Sequence, residues 1–276
     1  MMSGRLIEIT HPDDPRIAEF RDIRERDLTG RDSRFIAEGT VVLRLLADAH
    51  AAAGDFAAEK VLLLKNRVTG LGDIIDSFPD DVPIYVADAE VLDGIVGFHL
   101  HRGVLALGHR AAESGIDAFL DRLPKQSLVL VGCGISNHDN IGSMFRNAAA
   151  FGAAAVLLDE SCCDPLYRKA LRVSVGSILT VPYCRQLGGP ELLASLAGYG
   201  FAIWGLSPRG ASDIRDVPAS ERMALVVGAE GDGLPESVLS AFGSVRIPQV
   251  PGLDSLNVAT ASGIALFEMA AKNGRI

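Results

Sequence analysis

From Ser127 to the C-terminus, short apolar segments alternate regularly with helical segments, and this alternation limits the possible folds more than any other feature. The apolar segments are SLVLVGC, AAVLLD, TVPYC, FAIWGLS, MALVVGAE and SVRIPQV. Helical patterns occupy IGSMFRNAAAFG and the stretches that begin at Leu166, Glu191, Pro235 and Asn257. Short apolar strands that alternate with helices predict an α/β fold, with a mostly parallel sheet covered by helices on both faces.

The sequence before Ser127 predicts a separate, smaller α/β unit. Apolar residues recur at helical spacing in RFIAEGTVVLRLLADAHAAA from Arg34, which predicts an amphipathic helix. EKVLLLK, VPIYVAD and GVLALGH predict strands, whereas RAAESGIDAFLDRLPKQ is typical of a helical linker. We therefore expect a first domain over 1–108, a linker over 109–125 and a second domain over 126–276.

The charge distribution argues against nonspecific attraction of the whole surface to nucleic acid. The net charge is −9, and residues 1–125 hold 15 Lys and Arg against 22 Asp and Glu. The stretch from Asp13 to Arg34 carries six arginines, but seven acidic residues are interleaved with them. This pattern favours a solvated helical face over a nucleic-acid-binding arm. Any site for a polyanion must therefore be local.

The sequence predicts a cytoplasmic location and no metal site. The longest apolar runs are too short to cross a bilayer, and the N-terminus has no secretory signal pattern. His99 and His101 share one face of a predicted strand, but no Asp, Glu or Cys completes a ligand set, which favours structural histidines. The cysteines form no CxxC pair, which indicates reduced thiols; they are Cys133, Cys162, Cys163 and Cys184.

Three predicted strand ends carry clusters of glycine and polar residues, where ligands bind in a doubly wound sheet. The first is VGCGISNHDNIGSMFRNAAAFG, in which Asp139 or Asn140 is expected to cap the following helix. The N-terminus of that helix favours an anion such as phosphate. Arg146 lies about one and two-thirds turns beyond Asn140, so only its long side chain allows it to reach back. His138 is interpreted as an ordinary loop residue.

The second cluster is VVGAEGDGLPESV. Its glycines leave the backbone free to approach a ligand, and Glu230 stands among Gly228, Gly231 and Gly233. A flexible strand-to-helix turn is the alternative interpretation of this cluster. The sequence of this loop alone does not decide between the two.

The third cluster is IPQVPGLDSLNVATASGIALFE. Asp254, Ser255 and Asn257 stand at the entrance of a helix of small residues, where side chains of these types serve as caps. Capping alone explains one such loop, but three on one sheet favour a ligand site. A dinucleotide site is a weak alternative, because VGCGIS lacks the third glycine of GxGxxG, although Asp159 and Glu160 follow at the ribose-binding spacing.

Taken together and in this order, the three loops resemble the motifs of the SpoU (TrmH-like) ribose 2′-O-methyltransferases of the SPOUT superfamily. The matching segments are NIGSMFRNAAAFGA, VVGAEGDGL and IPQVPGLDSLNVATASGIALFE, and the similarity extends over essentially all of 127–276. RVSVGSILTVPY is also similar to a family segment. RFIAEGTVVLRLLADA resembles the start of the L30e-like substrate-binding domain that often precedes this domain.

The resemblance implies a deep trefoil knot that binds S-adenosylmethionine, with Ala259, Ala261, Ser262 and Gly263 allowing the last helix to pack closely. It implies attack of a ribose 2′-hydroxyl on the sulfonium methyl group, with Arg146 stabilising the developing alkoxide or an adjacent phosphate. The other implied catalytic residues are Asn140, Glu230, Ser255 and Asn257. The implied cofactor-binding residues are Leu206, Gly228, Ile247, Leu256 and Asn257.

The resemblance also implies partners. The substrate is expected to be rRNA or tRNA, because a 2′-hydroxyl distinguishes RNA from DNA. A homodimer is expected through the C-terminal domain, with the segment from Val173 to Val181 and the final helix as the contact surface. The alternatives are an RNA-binding or ribosome-assembly protein of the same fold without turnover and, more distantly, a nicotinamide-dependent enzyme.

Overall fold

The computed structural model describes residues 5–21, 33–96, 103–252 and 255–276. The described strands, in chain order, are β1 (Leu6–Ile9), β2 (Arg34–Glu38), β3 (Phe56–Leu64), β4 (Ile84–Ala87), β5 (Val104–Arg110), β6 (Ser127–Gly132), β7 (Ala155–Leu158), β8 (Tyr183–Arg185), β9 (Ala202–Leu206), β10 (Ser212–Asp213), β11 (Arg222–Val227) and β12 (Gly243–Arg246). The described α-helices are α1 (Thr40–Ala51), α2 (Gly72–Ser77), α3 (Ala89–Val96), α4 (Ile116–Asp121), α5 (His138–Ala150), α6 (Arg168–Val173), α7 (Gly189–Gly198), α8 (Glu236–Ala241) and α9 (Val258–Lys272). Short 3₁₀ helices cover Pro15–Phe20, Lys65–Leu71, Ser177–Leu179 and Ile214–Asp216.

The chain divides into two compact units. The first comprises Met1–Ala112 together with Leu166–Thr180, and the second comprises Glu113–Pro165 together with Val181–Ile276. The segment Leu166–Thr180, which includes α6, therefore belongs to the first unit although it lies between β7 and β8 in the sequence.

The first unit is built on a five-stranded mixed sheet in the order β1-β4-β3-β5-β2. β4 pairs in parallel with β1 and β3, whereas β5 pairs antiparallel with β2 and β3. The 3₁₀ helix Pro15–Phe20 inserts Ile17 and Phe20, both fully buried, into a core with residues such as Leu62 and Leu105. The charged residues of this part lie on the opposite side, with Asp13 and Arg16 exposed, as expected for a solvated helical face. Residues 22–32, and also His99 and His101, lie outside the described residues.

The helix expected from Arg34 begins later than predicted. Arg34–Glu38 is strand β2, antiparallel to β5, and α1 starts only at Thr40. Gly39, with a φ of 97°, separates the two elements. Phe35 pairs with Gly108, whose missing side chain leaves room for the phenyl ring; a Cβ there would lie 2.5 Å from it. The pairing partner is 73 residues away, so the helical periodicity around Arg34 did not reveal it.

The second unit contains a seven-stranded sheet in the order β10-β12-β9-β11-β6-β7-β8, and every pair of neighbours is parallel. This confirms the predicted α/β fold with a parallel sheet. The two-residue edge strand β10 was not predicted, because it is too short to show any periodicity. Since all strands run the same way, their carboxyl ends share one edge, and the loops after β9, β11 and β12 emerge there together.

Helices cover both faces of this sheet. On one face, α4 and α7 pack Leu120, Leu192 and Leu196 against residues such as Val129 and Val226. The other face is covered by α5 and α9, whose buried residues are Asn140, Ile141, Gly142, Met144, Phe145 and Ala148 on α5 and Ala259, Ser262, Ala265, Leu266, Met269 and Ala270 on α9. The two-sided cover explains why β6 is buried along its whole length. In the described part of the chain, no helix is long and apolar enough to cross a membrane.

Candidate active site

A cavity of about 540 Å³ opens at the carboxyl ends of β9, β11 and β12 in the second unit. Three loops and the start of α9 supply its walls. The lining residues named by the sequence motifs are Leu206, Gly228, Glu230, Gly231, Gly233, Ile247, Ser255, Leu256 and Asn257. The cavity therefore lies where a parallel α/β sheet places its ligands.

The glycine-rich loop after β11 folds back on itself and forms one wall. Gly233 donates its backbone N–H to the carbonyl of Ala229 at 3.0 Å, and Gly231 and Gly233 have φ values of 90° and 69°. A Cβ on Gly228 would lie 2.4 Å from the carbonyl carbon of Gly233, so no side chain fits there. The absence of side chains thus permits the turn that brings the exposed Glu230 to the cavity.

A chain of side-chain hydrogen bonds joins the three motifs. Asn257 caps α9, because its Oδ1 accepts from the backbone N–H groups of Ala259 at 2.9 Å and Thr260 at 3.2 Å. Its Nδ2 donates to Oδ1 of Asn140 at 2.9 Å, and Nδ2 of Asn140 donates to Oε1 of Glu230. Asn140 is only 4% exposed. A buried amide thus connects two exposed polar residues that line the cavity.

The cap of α5 differs from the prediction. Asn137 is the N-cap, and its Oδ1 accepts from the backbone N–H of Asp139 at 2.8 Å. Neither Asp139 nor Asn140 holds that position, because the helix starts two to three residues earlier than its apolar pattern suggested. The side chain of Asn140 is consequently free of capping and forms the hydrogen bonds to Asn257 and Glu230.

Arg146 is exposed on α5 and does not line the cavity. Among the described residues its guanidinium has no hydrogen-bond or ion-pair partner. It lies six positions after Asn140 in the helix, a rotation of about 240° around the axis. The structure therefore places Arg146 on a different side of α5 from Asn140.

The next residue, Asn147, connects α5 to α9, and the sequence motifs did not identify it. It lies two turns after Asn140 on the same side of α5, and its Nδ2 donates to the carbonyl of Ala259 at 2.7 Å and to Oγ of Ser262 at 3.3 Å. A Cβ on Gly263 would lie 3.0 Å from that nitrogen, so the small residues of α9 permit the contact. The spacing of seven residues between Asn140 and Asn147 indicates in the sequence that both lie on the same face of α5.

Asp159 and the nearby thiols have structural environments. Oδ1 of Asp159 accepts from the backbone N–H groups of Gly134 and Cys162, both at 3.1 Å or less, and from the hydroxyl of Ser161 at 2.6 Å. This carboxylate therefore organises two loops and does not offer the free ribose ligand of a dinucleotide site. Burial, together with Asp159, raises the pKa of Cys133 to about 12, so its thiol stays protonated at neutral pH.

Comparison with known proteins gives a consistent family. Residues 127–267 match the model of the SpoU rRNA Methylase family. An uncharacterised tRNA/rRNA methyltransferase of Mycobacterium tuberculosis is 39% identical over 272 residues, which cover 95% of this chain and 90% of the relative. The 23S rRNA (guanosine-2′-O-)-methyltransferase RlmB of a Burkholderia species is 32% identical over 187 residues, 67% of this chain and 76% of the relative. The chain belongs to the SpoU rRNA methylase family.

Solved structures share the fold. An AdoMet-bound rRNA methyltransferase from Sinorhizobium meliloti superposes with a TM-score of 0.78 at 22% identity, covering 97% of this chain and 98% of its own. The SpoU methyltransferase AviRb from Streptomyces viridochromogenes, in complex with AdoMet, gives a TM-score of 0.78 at 19% identity, covering 94% and 98%. The architecture of both units therefore occurs in known methyltransferases.

Proposed function

We propose that this chain transfers the methyl group of S-adenosylmethionine to a ribose 2′-hydroxyl of rRNA or tRNA. The observation that carries the proposal is the hydrogen-bonded chain Asn257–Asn140–Glu230 at the edge of the cavity. It joins residues from all three motifs of the SpoU family. Helix capping alone requires only the Asn257 member of this chain.

The cavity suits S-adenosylmethionine in size and chemistry. Its volume of about 540 Å³ lies within the range of small-molecule sites. Leu206, Ile247 and Leu256 provide apolar walls for an adenine ring, and Gly228 allows close approach of backbone groups. The sulfonium of the bound cofactor supplies an electrophilic methyl group.

Asn140, Glu230, Ser255 and Asn257 are proposed to position the ribose. The exposed side chains at the cavity can bind sugar hydroxyls, and buried Asn140 fixes two of them relative to each other. A group held before the reaction needs no reorganisation as charge develops, which is the main source of electrostatic catalysis. These residues therefore contribute mainly by orienting the attacking hydroxyl.

Arg146 is proposed to bind the RNA near the reacting oxygen. Its guanidinium is exposed and has no partner among the described residues, so its donors are available to a phosphate or ribose oxygen. Because a guanidinium offers hydrogen-bond donors and no acceptor, it stabilises negative charge and does not accept the hydroxyl proton.

The first unit is proposed to be an L30e-like domain, over 1–108, that recognises RNA. Its support is the likeness of the RFIAEGTVVLRLLADA segment and the presence of a separate core. Photocrosslinking of the full chain to its RNA, followed by peptide mapping, tests this. Crosslinks within residues 5–112 are expected, and crosslinks restricted to 181–276 would remove the recognition role.

A homodimer through the C-terminal domain and a cytoplasmic location are proposed as well. Ile264 and Phe267 are 42% and 51% exposed on α9. Large apolar side chains exposed one turn apart are typical of a protein contact surface. The deep trefoil knot is likewise proposed; it is supported by the convergence of the loops after β9, β11 and β12 on one cavity.

The function is tested by methyl transfer from labelled S-adenosylmethionine to rRNA and tRNA from a deletion strain. Mapping of ribose methylation should reveal a nucleotide that is unmodified in the strain and is modified by the purified protein. RNA binding without transfer, together with an unchanged methylation map, would support the RNA-binding or ribosome-assembly alternative and overturn the enzymatic proposal.

A further inference from the structure

The loop after β9 holds one residue, Arg209, at the cavity in a fixed backbone position. Ser207-Pro208-Arg209-Gly210 is a β-turn, closed by a hydrogen bond from the N–H of Gly210 to the carbonyl of Ser207 at 3.0 Å. Ser at the first position, Pro at the second and Gly at the fourth are preferred in type I turns. Oγ of Ser207 also accepts from the N–H of Arg209 at 3.3 Å.

The turn is anchored to strand β12. The N–H of Ser207 donates to the carbonyl of Val245 at 2.9 Å, and Nη1 of Arg246 donates to the carbonyl of Gly210 at 2.9 Å. A Cβ on Gly210 would lie 2.2 Å from the carbonyl carbon of Val245, so the turn lies directly against the strand. Arg209 therefore stands at the apex of a loop whose backbone is well supported.

The charges around the cavity give Arg209 a specific role. Among the described lining residues it carries the sole positive charge, beside the two acids Glu230 and Asp232. Its guanidinium has no hydrogen-bond or ion-pair partner among the residues that the structure describes. S-adenosylmethionine has two cationic groups, the sulfonium and the ammonium, and one carboxylate. The acids complement the cations, and the carboxylate requires a separate donor.

We propose that Arg209 binds the α-carboxylate of S-adenosylmethionine. This assignment rests on the proposed function of the cavity, and it adds a residue that the family motifs do not include. A guanidinium presents paired donors that match a carboxylate in a bidentate geometry. The turn reduces the backbone entropy that is lost on binding. Arg209 thus selects a ligand that carries an amino-acid group.

Calorimetric titration with S-adenosylmethionine and with its decarboxylated analogue tests this directly. The wild-type protein should bind the intact cofactor about five- to tenfold more tightly, as for an exposed but well-oriented ion pair. Arg209→Ala should bind both ligands equally, with the wild-type affinity for the analogue. Arg209→Lys should retain part of the preference because it keeps the charge. Arg122→Ala removes an exposed arginine on the same unit that does not line the cavity, and it should keep the full preference.

Each other outcome overturns the assignment in a recognisable way. Equal loss of affinity for both ligands in Arg209→Ala, at an unchanged melting temperature, would mean that the carboxylate is not its target. Unchanged cofactor affinity with weaker RNA binding and a lower salt dependence would assign Arg209 to an RNA phosphate. If the wild-type protein binds neither ligand, the proposed function of the cavity fails, and the assignment fails with it.

Discussion

The side-chain amide of Asn257 donates to the side-chain oxygen of Asn140 at 2.9 Å, across 117 positions of sequence. The direction of this bond is determined by the cap. Oδ1 of Asn257 is occupied by two backbone N–H groups at the start of α9, so its nitrogen must face Asn140. Asn140 then presents its oxygen to Asn257 and its nitrogen to Glu230. The donor-to-acceptor direction of both side-chain hydrogen bonds therefore follows from one helix cap.

Asn257→Asp should keep the helix cap but disrupt the hydrogen bonds that connect Asn257, Asn140 and Glu230. The new carboxylate accepts from the helix N–H groups as well as an amide does, but it cannot donate to Asn140. If the Asn140 amide flips, its oxygen meets the carboxylate of Glu230 instead. We expect a loss of about 1–3 kcal/mol in the free energy of unfolding, measured by urea denaturation.

A second substitution should reverse the donor-to-acceptor direction of both hydrogen bonds and so restore them. In Asn257→Asp combined with Glu230→Gln, a flipped Asn140 donates to the new carboxylate and accepts from the new amide. Most of the lost stability should return, whereas Glu230→Gln alone should change stability by less than about 0.5 kcal/mol. Additive effects of the two substitutions would show that these three side chains are not coupled.

Gly228→Ala should collapse the glycine-rich loop. The added methyl group would lie 2.4 Å from the backbone of Gly233, so the loop must move and the cavity wall moves with it. We expect a loss of about 1–3 kcal/mol in stability and at least tenfold weaker binding of S-adenosylmethionine. Gly198→Ala is the matched control, because no atom lies within 4 Å of its added Cβ and it ends α7. Normal cofactor affinity in Gly228→Ala would show that this wall does not hold the ligand.

The sequence predicted those features that depend on neighbouring residues. Alternating apolar segments gave the parallel sheet, and the side-chain type at Asn257 gave a helix cap that the structure confirms. Features set by distant pairing were not predictable in this way. Phe35 lies in a strand whose partner residue, Gly108, has no side chain and so leaves space for the phenyl ring. Leu166–Thr180 packs with the first unit, and its local sequence pattern does not indicate this.

The candidate site shows the same division. The motifs placed Glu230, Ser255 and Asn257 together at one cavity, which the structure shows. They did not show that Asn140 is a buried link between two of them, because the true cap, Asn137, lies two to three residues before the candidates. Arg209 belongs to none of the motifs, and only its position in the wall of the cavity identifies it as a candidate ligand-binding residue.

Phe267→Glu should convert the proposed dimer to a monomer. Phe267 is 51% exposed on α9 beside Ile264, and a carboxylate there could not be buried against a second copy without a partner. Its edge contact with Phe151, at 5.8 Å between ring centroids, would also be lost, so a small decrease in stability is expected. Ala194→Glu adds the same charge at an exposed position of α7 and should leave the dimer intact. Analytical ultracentrifugation at micromolar concentration distinguishes the species, and a monomeric wild-type protein with full activity would contradict the dimer.

Arg146→Ala should abolish most methyl transfer while leaving the fold and the cofactor site intact. The guanidinium is exposed, has no partner among the described residues and lies outside the cavity lining, so its removal should alter stability by only a few tenths of a kcal/mol. For the same reason the affinity for S-adenosylmethionine should stay near the wild-type value. Loss of a charged donor to the developing oxyanion should cost on the order of 3 kcal/mol, which is roughly a hundredfold or more in single-turnover rate.

Arg146→Lys separates charge from geometry in the same assay. An ammonium keeps the charge but lacks the planar pair of donors, so it should restore little of the rate if Arg146 binds a phosphate or ribose oxygen in a bidentate manner. Strong recovery would indicate a general electrostatic contribution, which should weaken as salt is added. Arg122→Ala, at another exposed arginine of the second unit, should transfer methyl groups at the wild-type rate. A folded Arg146→Ala protein with a near-normal rate would show that the catalytic cation lies elsewhere, and its exposed position on α5 would then be that of an ordinary surface arginine.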